Sequence, residues 1–408
     1  MVLLLKLPPP LRQTLLRLIV AGLLFWSSIA AMLPTLPLYI AEKGGTPHQV
    51  GFVMGAFAVG LIASRSWLGP LADRRGRKIT LLIGLAVAAI APLFYIVSHN
   101  LPLLVVVRLL HGVSIAGFTT GYMALVTDIA PPEHRGEIIG YTSLVHPIGV
   151  ALGPSLGSWL QMNYSHSLVF MVASSLAALG FMAAAGVRAV NIPQDCGGSR
   201  PEKALFWRLL LSERLRIPSL VMLSVGLTFG TIATFIPLFI AAERLDISAG
   251  LFYSVAAIAS FIGRVATGSA SDHWGRGIFI SASLACYVVS MVLLAQAQTP
   301  LDILWAAILE GLAGGVLIPM VAALMADRST TDERGRVLSL SLGGFDLGMA
   351  LAGPVLGGLI DPLGYRLIFR MAAVFSLLGL TFFLTASSKS LPDSLRFALG
   401  MGRDRYAL

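Results

Sequence analysis

The chain has 408 residues, of which 56% are hydrophobic and 12% are charged, and its mean hydropathy is +0.83. Soluble domains carry about 25% charged residues, so this composition excludes a soluble enzyme, a nucleic-acid-binding domain and a disordered protein. The formal net charge is +9, which in a membrane protein indicates an inside-facing excess of Lys and Arg. The two cysteines, Cys196 and Cys286, form no disulfide framework and no metal-ligand spacing.

Apolar runs of about 20 residues recur along the whole chain, and each is long enough to cross a bilayer as a helix. The first run is interpreted as a transmembrane helix and not as a signal peptide, because no small-residue cleavage site follows it. Breaks at Pro, Gly and charged clusters predict twelve spans: 18–41, 48–68, 79–98, 101–127, 137–160, 167–188, 217–241, 249–268, 278–297, 301–326, 336–360 and 366–387. We therefore predict an all-α membrane protein.

The basic residues are distributed unevenly between the two sides of the predicted membrane. With a cytoplasmic N-terminus, 22 Lys and Arg lie on the inner side and 4 on the outer side. This asymmetry predicts that both termini are cytoplasmic. The predicted domains are an N-terminal six-helix bundle, a connector with an amphipathic helix, a C-terminal six-helix bundle and a basic cytoplasmic tail, over 1–190, 191–216, 217–390 and 391–408.

The two halves of the chain repeat each other at an offset of about 200 residues. The sequence PLYIA at 37–41 returns as PLFIA at 237–241, and GPLADRRGRK at 69–78 returns as GSASDHWGRG at 268–277. Two parallel repeats of six helices around a central pathway are typical of transporters that work by alternating access.

At these residues the sequence resembles the major facilitator superfamily, and the resemblance covers the whole chain. The loop at 69–78 is similar to that family's signature between helices 2 and 3, and its copy at 268–277 ends in Gly277 instead of a basic residue. The resemblance implies a cytoplasmic latch. Its residues in this chain are Gly69, Asp73, Gly76, Arg77, Asp128, Asp272, Arg276 and Asp327.

The chemistry of these residues explains how such a latch holds two helices together. Gly69 permits close approach of two helices. Asp73 can lie at the positive N-terminus of a partner helix, and Arg77 can pair with Asp128. The alternative interpretation is that these residues are solvated loop charges, which lie on the inner side only because Lys and Arg are generally in excess there.

The fourth span carries Arg108, His111 and Gly112, which resemble the family's Arg-x-x-Gln-Gly element with His111 in place of Gln. The resemblance implies a part in proton transfer.

The fifth span is similar to the signature of the family's proton-coupled exporters, with Ser158 replacing a final glycine. The matching residues are Gly140, Gly149, Gly153, Pro154 and Gly157. The resemblance implies export, whereas helix packing alone would use the same glycines and the same proline bend.

Four ionisable residues lie near the predicted bilayer midplane. They are His111, His146, Glu310 and Asp346. Such residues inside a span are rare and usually functional. We expect Asp346 or Glu310 to carry a proton, with Arg108 biasing the equilibrium and either histidine as a relay or substrate-binding group. A structural ion pair or hydrogen bond between helices is the alternative. The first span holds no acidic residue, so a proton site there is excluded.

Five aromatic residues are candidates for a substrate cavity, because their rings could hold an amphipathic or cationic ligand. They are Tyr39, Tyr122, Phe235, Tyr253 and Trp305. Packing and membrane-interface roles are the alternatives.

The leading hypothesis is therefore a proton-coupled exporter of small organic or amphipathic molecules in a bacterial-type plasma membrane, working as a monomer. A proton-coupled uptake symporter for a sugar or organic acid has the same fold and stays open, as does a non-transporting membrane sensor or assembly factor. We expect no enzyme, cofactor, metal or nucleic-acid partner, because the chain lacks a phosphate-binding loop and paired Cys and His ligands.

Overall fold

The structure is a computed structural model, and it describes residues 7–98, 100–187, 212–268, 270–330 and 333–407. Within these ranges the chain is helical and contains no strand. Residues 191–211 of the predicted connector over 191–216, with most of its amphipathic helix, lie outside the described residues, and the end of the connector belongs to a helix that begins at Glu213. The all-α membrane fold predicted from the sequence is confirmed.

The helices up to residue 187 begin and end close to the predicted spans. In chain order they are α1 (Pro9–Ala31), α2 (Leu36–Glu42), α3 (Pro47–Arg75), α4 (Arg77–Val97), α5 (Leu101–Ile129), α6 (Arg135–Ser143), α7 (Val145–Asn163) and α8 (His166–Ala185). A single 3-10 turn, Pro132–His134, precedes α6.

The helices after residue 211 repeat this order. They are α9 (Glu213–Ala242), α10 (Ala249–Gly268), α11 (Ala270–Trp274), α12 (Arg276–Gln296), α13 (Pro300–Asp327), α14 (Arg334–Gly357), α15 (Ile360–Leu363), α16 (Tyr365–Ala386) and α17 (Leu391–Ala398).

In the described residues, 11 helices are long and apolar enough to cross a membrane. The predicted span 137–160 is not among them, because the chain breaks at Leu144 between α6 and α7. Pro147 explains the break: it has no N–H to donate to the carbonyl of Ser143, four residues earlier. The first span also contains a turn, between α1 and α2, yet it counts as one long apolar segment from Pro9 to Glu42.

The chain divides into two compact units. The first contains residues 1–45, 56–197 and 249–254, and the second contains 46–55, 198–248 and 255–408. The predicted bundle boundaries at 190 and 217 stay a prediction.

The first unit has an aromatic core between α1 and α5. Phe25 and Phe118 stack with their ring centroids 3.8 Å apart, and Tyr122 stacks on Phe118 at 4.9 Å. Small residues bring α4 and α5 together, since a Cβ on Gly117 would lie 2.9 Å from the Cα of Gly84. This close packing carries the polar side chains of α5 into the interior of the unit.

The second unit has a mainly aliphatic core, in which Val225, Leu284 and Leu317 are fully buried together with Phe383. Buried hydroxyl groups join its helices. Thr228 in α9 and Ser376 in α16 share a hydrogen bond of 2.8 Å, and Ser290 in α12 donates to a carbonyl of α13 at 2.8 Å. These bonds stabilise the helix contacts, because an unpaired polar group in an apolar interior is costly.

Candidate functional site

An ion pair joins the start of α4 to the end of α5. Arg77 donates from Nη1 to a carboxylate oxygen of Asp128 and, at 2.9 Å, to the carbonyl of Ala124. The two charged side chains are partly buried. The pair expected from the sequence is present, and its role as a latch stays a prediction.

The second half carries the same pair at the same separation. Arg276 donates two hydrogen bonds to Asp327, from Nε to Oδ2 at 2.5 Å and from Nη2 to Oδ1 at 3.2 Å. In both halves the arginine follows a glycine in the left-handed region, with φ of +103° at Gly76 and +79° at Gly275. Only glycine adopts this conformation without strain, so the turn that aims each arginine depends on it. The side chain of Asp272 is not described.

Two predicted glycines do not lie at helix contacts. A Cβ on Gly69 or on Gly140 would meet no described atom within 4 Å. The expectation of close helix approach at these two positions is not met, because both face open space. Asp73, in the last turn of α3, is exposed.

The other glycines of the exporter-like signature form a tight contact between α7 and α1. A Cβ on Gly149 would lie 2.5 Å from the Cβ of Trp26, and a Cβ on Gly153 would lie 2.6 Å from the carbonyl oxygen of Ser27. A Cβ on Gly157 would lie even closer to the carbonyl oxygen of Ala31. The two backbones can therefore meet only because these side chains are absent.

Two further members of this signature have different surroundings. Pro154 lies inside α7 and is buried. Ser158, which replaces the family's final glycine, accepts a hydrogen bond from the N–H of Gly250 at 2.9 Å.

Arg108 and His111 lie one turn apart in α5, and both are buried. The Arg108 guanidinium lies over the ring of Phe57 at 4.3 Å, and the side chain is 7% exposed. His111 is 1% exposed, and its Nδ1 shares a hydrogen bond of 3.2 Å with the hydroxyl of Tyr95. Tyr39 donates to the carbonyl of the same tyrosine at 2.9 Å. These residues form what we call the Arg108 cluster: Tyr39, Phe57, Tyr95, Arg108 and His111.

Glu310 is buried in α13 without an ion-pair partner among the described residues. Its exposed fraction is 7%. The charge of Glu310 acts on the hydroxyl of Tyr287, which lies in α12. A charged group is costly to bury in an apolar interior without a partner.

The other two midplane candidates differ in exposure. Asp346 is 3% exposed in α14, next to Phe345, whose ring lies 5.6 Å from that of Phe229 in α9. His146 is exposed, and its ring stands edge-on to Trp26 at 4.3 Å. Asp346 and His146 each have an interaction partner.

Four of the five aromatic candidates are buried, namely Tyr39, Tyr122, Phe235 and Tyr253. Tyr122 packs in the core of the first unit and donates to the carbonyl of Thr142 at 3.3 Å. Trp305 is 60% exposed, on the same face of α13 as the exposed Leu301. The role of these residues in a substrate cavity stays a prediction.

Sequence reasoning missed the neighbours that complete these sites. Tyr95, Phe57 and Tyr287 each lie in an apolar span. The first two contact His111 and Arg108, and the charge of Glu310 acts on the third. A hydroxyl group inside a span was a signal for the two tyrosines, since buried hydroxyls need partners. Phe57 gave no signal, because a phenylalanine in a membrane helix is ordinary.

The family model described as Major Facilitator Superfamily matches residues 18–308 and 248–399. The chain is 28% identical over 370 residues to "Multidrug resistance protein MdtG" of Rahnella sp. (strain Y9602), covering 85% of this chain and 87% of that protein. It is equally similar, over 365 residues, to the protein of the same name from Escherichia coli O6:K15:H31, covering 85% and 88% of the two chains.

Solved transporters share the fold at low sequence identity. The nucleoside transporter NupG superposes with a TM-score of 0.75 at 14% identity, covering 90% of this chain and 97% of that one. A bacterial homologue of the human lysosomal transporter Spinster, crystallised inward-facing and unoccupied, superposes with a TM-score of 0.74 at 16% identity, covering 93% and 98%. The chain therefore belongs to the Major Facilitator Superfamily and is a multi-pass, inner-membrane transporter of small molecules.

Proposed function

We propose that this transporter exports small organic or amphipathic molecules in exchange for protons, by alternating access. The observation that carries the proposal is Glu310, a buried carboxyl group that forms no ion pair with any residue that the structure describes. Such a group holds a proton while it is buried and releases it when water or a cation reaches it. A transporter that alternates between two accessible states can use this property to couple proton entry to substrate exit.

Export as the direction is supported by the glycine face of α7 and by the relatives. Gly149, Gly153 and Gly157 make close contact with α1 in the pattern that the exporter signature predicts. The similar proteins of Rahnella and E. coli carry the name multidrug resistance protein, which is the expected phenotype of an exporter.

The ion pairs Arg77–Asp128 and Arg276–Asp327 are proposed to act as the latch of this cycle. Each joins the beginning of one helix to the end of the next at an equivalent place in the two halves. The basic residues around them support a cytoplasmic location, with both termini on the same side. In this proposal the transporter works as a monomer with two six-helix bundles.

The test begins with the growth of a strain that lacks its own exporters, on a panel of toxic compounds, with and without this protein. A compound to which the protein confers resistance is then used with purified protein in liposomes that contain a pH-sensitive dye. Adding this compound to wild-type liposomes should move protons, and an imposed pH gradient should drive the compound uphill.

Glu310→Gln should abolish the proton movement and the uphill transport, and Asp346→Asn tests the second candidate acid. Asp302→Asn is the matched control, because Asp302 lies in the same helix α13 but belongs to the exposed capping box with Thr299. Transport against a pH gradient that survives in the double variant Glu310→Gln, Asp346→Asn would exclude both acids as the proton site. Accumulation of the compound in intact cells would contradict export.

A further inference from the structure

Arg108 is a buried cation with unused hydrogen-bonding capacity. Its side chain is 7% exposed, and the Nε atom has no hydrogen-bond partner. The contact with Phe57, at 4.3 Å, covers one face of the guanidinium. Stacking of this kind leaves the edge of the fork open to acceptors, and the guanidinium already donates one hydrogen bond there, to the hydroxyl of Tyr95.

His111 offers a second unused nitrogen next to this cation. The charge of Arg108 acts on His111, which lies three residues later on the same face of α5. The Nε2 atom of His111 is buried and has no hydrogen-bond partner, while Nδ1 bonds with Tyr95. When the tyrosine hydroxyl donates to Nδ1, Nε2 carries the hydrogen and becomes a buried donor.

Among the described residues of the same unit, no carboxylate compensates the charge of Arg108. The described acidic residues between 9 and 187 all lie in connectors or in terminal turns of helices, at positions 42, 73, 128, 133 and 137. Of these, Glu42 pairs with His166 and Asp128 pairs with Arg77. Arg108 itself forms no ion pair among the described residues. A buried charge without a counter-charge costs several kcal/mol. An arginine with a purely structural role would not offset this cost.

We propose that Arg108 and His111 form the site that binds an anionic group of the transported molecule, so that the substrates include small organic carboxylates or phosphonates. The planar guanidinium fork fits two oxygens of such a group, and the His111 Nε2 hydrogen supplies a third donor. Phe57 and Tyr95 give the site an aromatic wall for the organic part of the ligand. This inference rests on the proposed function, since it names the substrate class of the same transporter.

The test measures binding to the full-length protein purified in detergent, without any gradient. A panel of small carboxylates and phosphonates is titrated, each together with the amine that has the same carbon skeleton, and binding is followed by the shift in unfolding temperature. At least one anion should bind at least tenfold more tightly than its amine. Arg108→Gln should weaken this anion at least tenfold, and Arg108→Lys should recover part of the loss because it keeps the charge but not the fork.

Arg264→Gln is the matched control, because Arg264 is also an arginine whose buried Nε has no hydrogen-bond partner, but it lies in the second unit. It should leave anion binding unchanged. The inference is overturned if no anion binds better than its amine, or if Arg108→Gln binds the anion as tightly as wild type.

The binding readout separates this inference from the proposed function. An anion that binds through Arg108 but never moves protons across the liposome membrane would refute proton coupling and leave the site standing. Proton-coupled transport of compounds whose affinity does not depend on Arg108 would do the reverse.

Discussion

Replacing Asp404 with Asn should release the C-terminal segment, because Asp404 is the counter-ion of a fully buried arginine. Arg328 follows the last turn of α13 and is 0% exposed. Its Nε and Nη2 donate to the two oxygens of Asp404 at 2.7 and 2.9 Å. The same guanidinium donates to the carbonyl of Arg214 at 2.9 Å and to that of Ser387 at 2.8 Å. One side chain therefore connects α9, α13 and the end of α16 to the tail.

The size of the effect follows from the burial of this pair. Removing one partner of a buried ion pair costs about 3–5 kcal/mol, because the other charge is left uncompensated. Asp404 is 10% exposed and Arg328 is 0% exposed, so solvent screens the pair little. Asn keeps the size of the side chain and one acceptor oxygen, which places Asp404→Asn near the lower value of about 3 kcal/mol. Since 1.4 kcal/mol is a factor of ten, opening of the tail should rise about 100-fold.

Hydrogen exchange with mass spectrometry on the purified protein measures this opening directly, in peptides that cover residues 391–407. Asp393→Asn is the matched control in the same segment, because its partner Arg405 is 60% exposed. Exposed pairs contribute about 1 kcal/mol or less, so this variant should exchange at most about fivefold faster. Equal protection of the tail in Asp404→Asn and wild type, or equal effects of the two variants, would refute the reasoning.

Two further predictions concern helix packing and the pH dependence of the tail. Gly153→Ala should destabilise the protein by about 1–3 kcal/mol, because its Cβ would lie 2.6 Å from the carbonyl oxygen of Ser27. Gly140→Ala is the control, because its Cβ meets open space, and it should be neutral or stabilising by up to about 1 kcal/mol. Thermal unfolding measures both variants, and equal shifts of the unfolding temperature would contradict the packing account. Burial, and then the neighbouring Glu213, raise the pKa of the Tyr406 hydroxyl above its ordinary value. The stability that this shift contributes is complete below about pH 10 and is lost as the pH rises through the raised pKa. Protease cleavage of the wild-type tail should therefore increase at alkaline pH more than that of Tyr406→Phe, and identical pH profiles would argue against this role.

The sequence pattern predicted the helices well, because a membrane imposes a simple rule on the chain. Each span must be apolar over about 20 residues and must satisfy its own backbone hydrogen bonds. The helices therefore begin and end near the predicted bounds, as α5 does at Leu101 and Ile129. The break at Leu144 was not predicted, since the run around it is apolar and only the position of Pro147 relative to Ser143 marks it.

The repeat also indicated which charges would meet. Asp128 and Asp327 stand at equivalent places, each 51 residues after its arginine, and both pairs are present. The pairing of Arg328 with Asp404 had no such signal, because the equivalent position in the first half is Ile129. A contact that only one half makes cannot be read from internal repetition.

By itself the sequence determined a multi-pass membrane transporter with two repeated halves, and it predicted an inside-positive charge pattern and a few ionisable residues at midplane depth. These properties follow from composition, periodicity and local spacing, which are local in the chain. The tertiary structure alone decided which neighbours those ionisable residues have: an aromatic ring and a tyrosine for Arg108 and His111, and no ion-pair partner in the described part of the chain for Glu310. The physical reason is that the energy of a buried charge depends on every group within a few ångströms, and those groups come from helices far apart in the sequence.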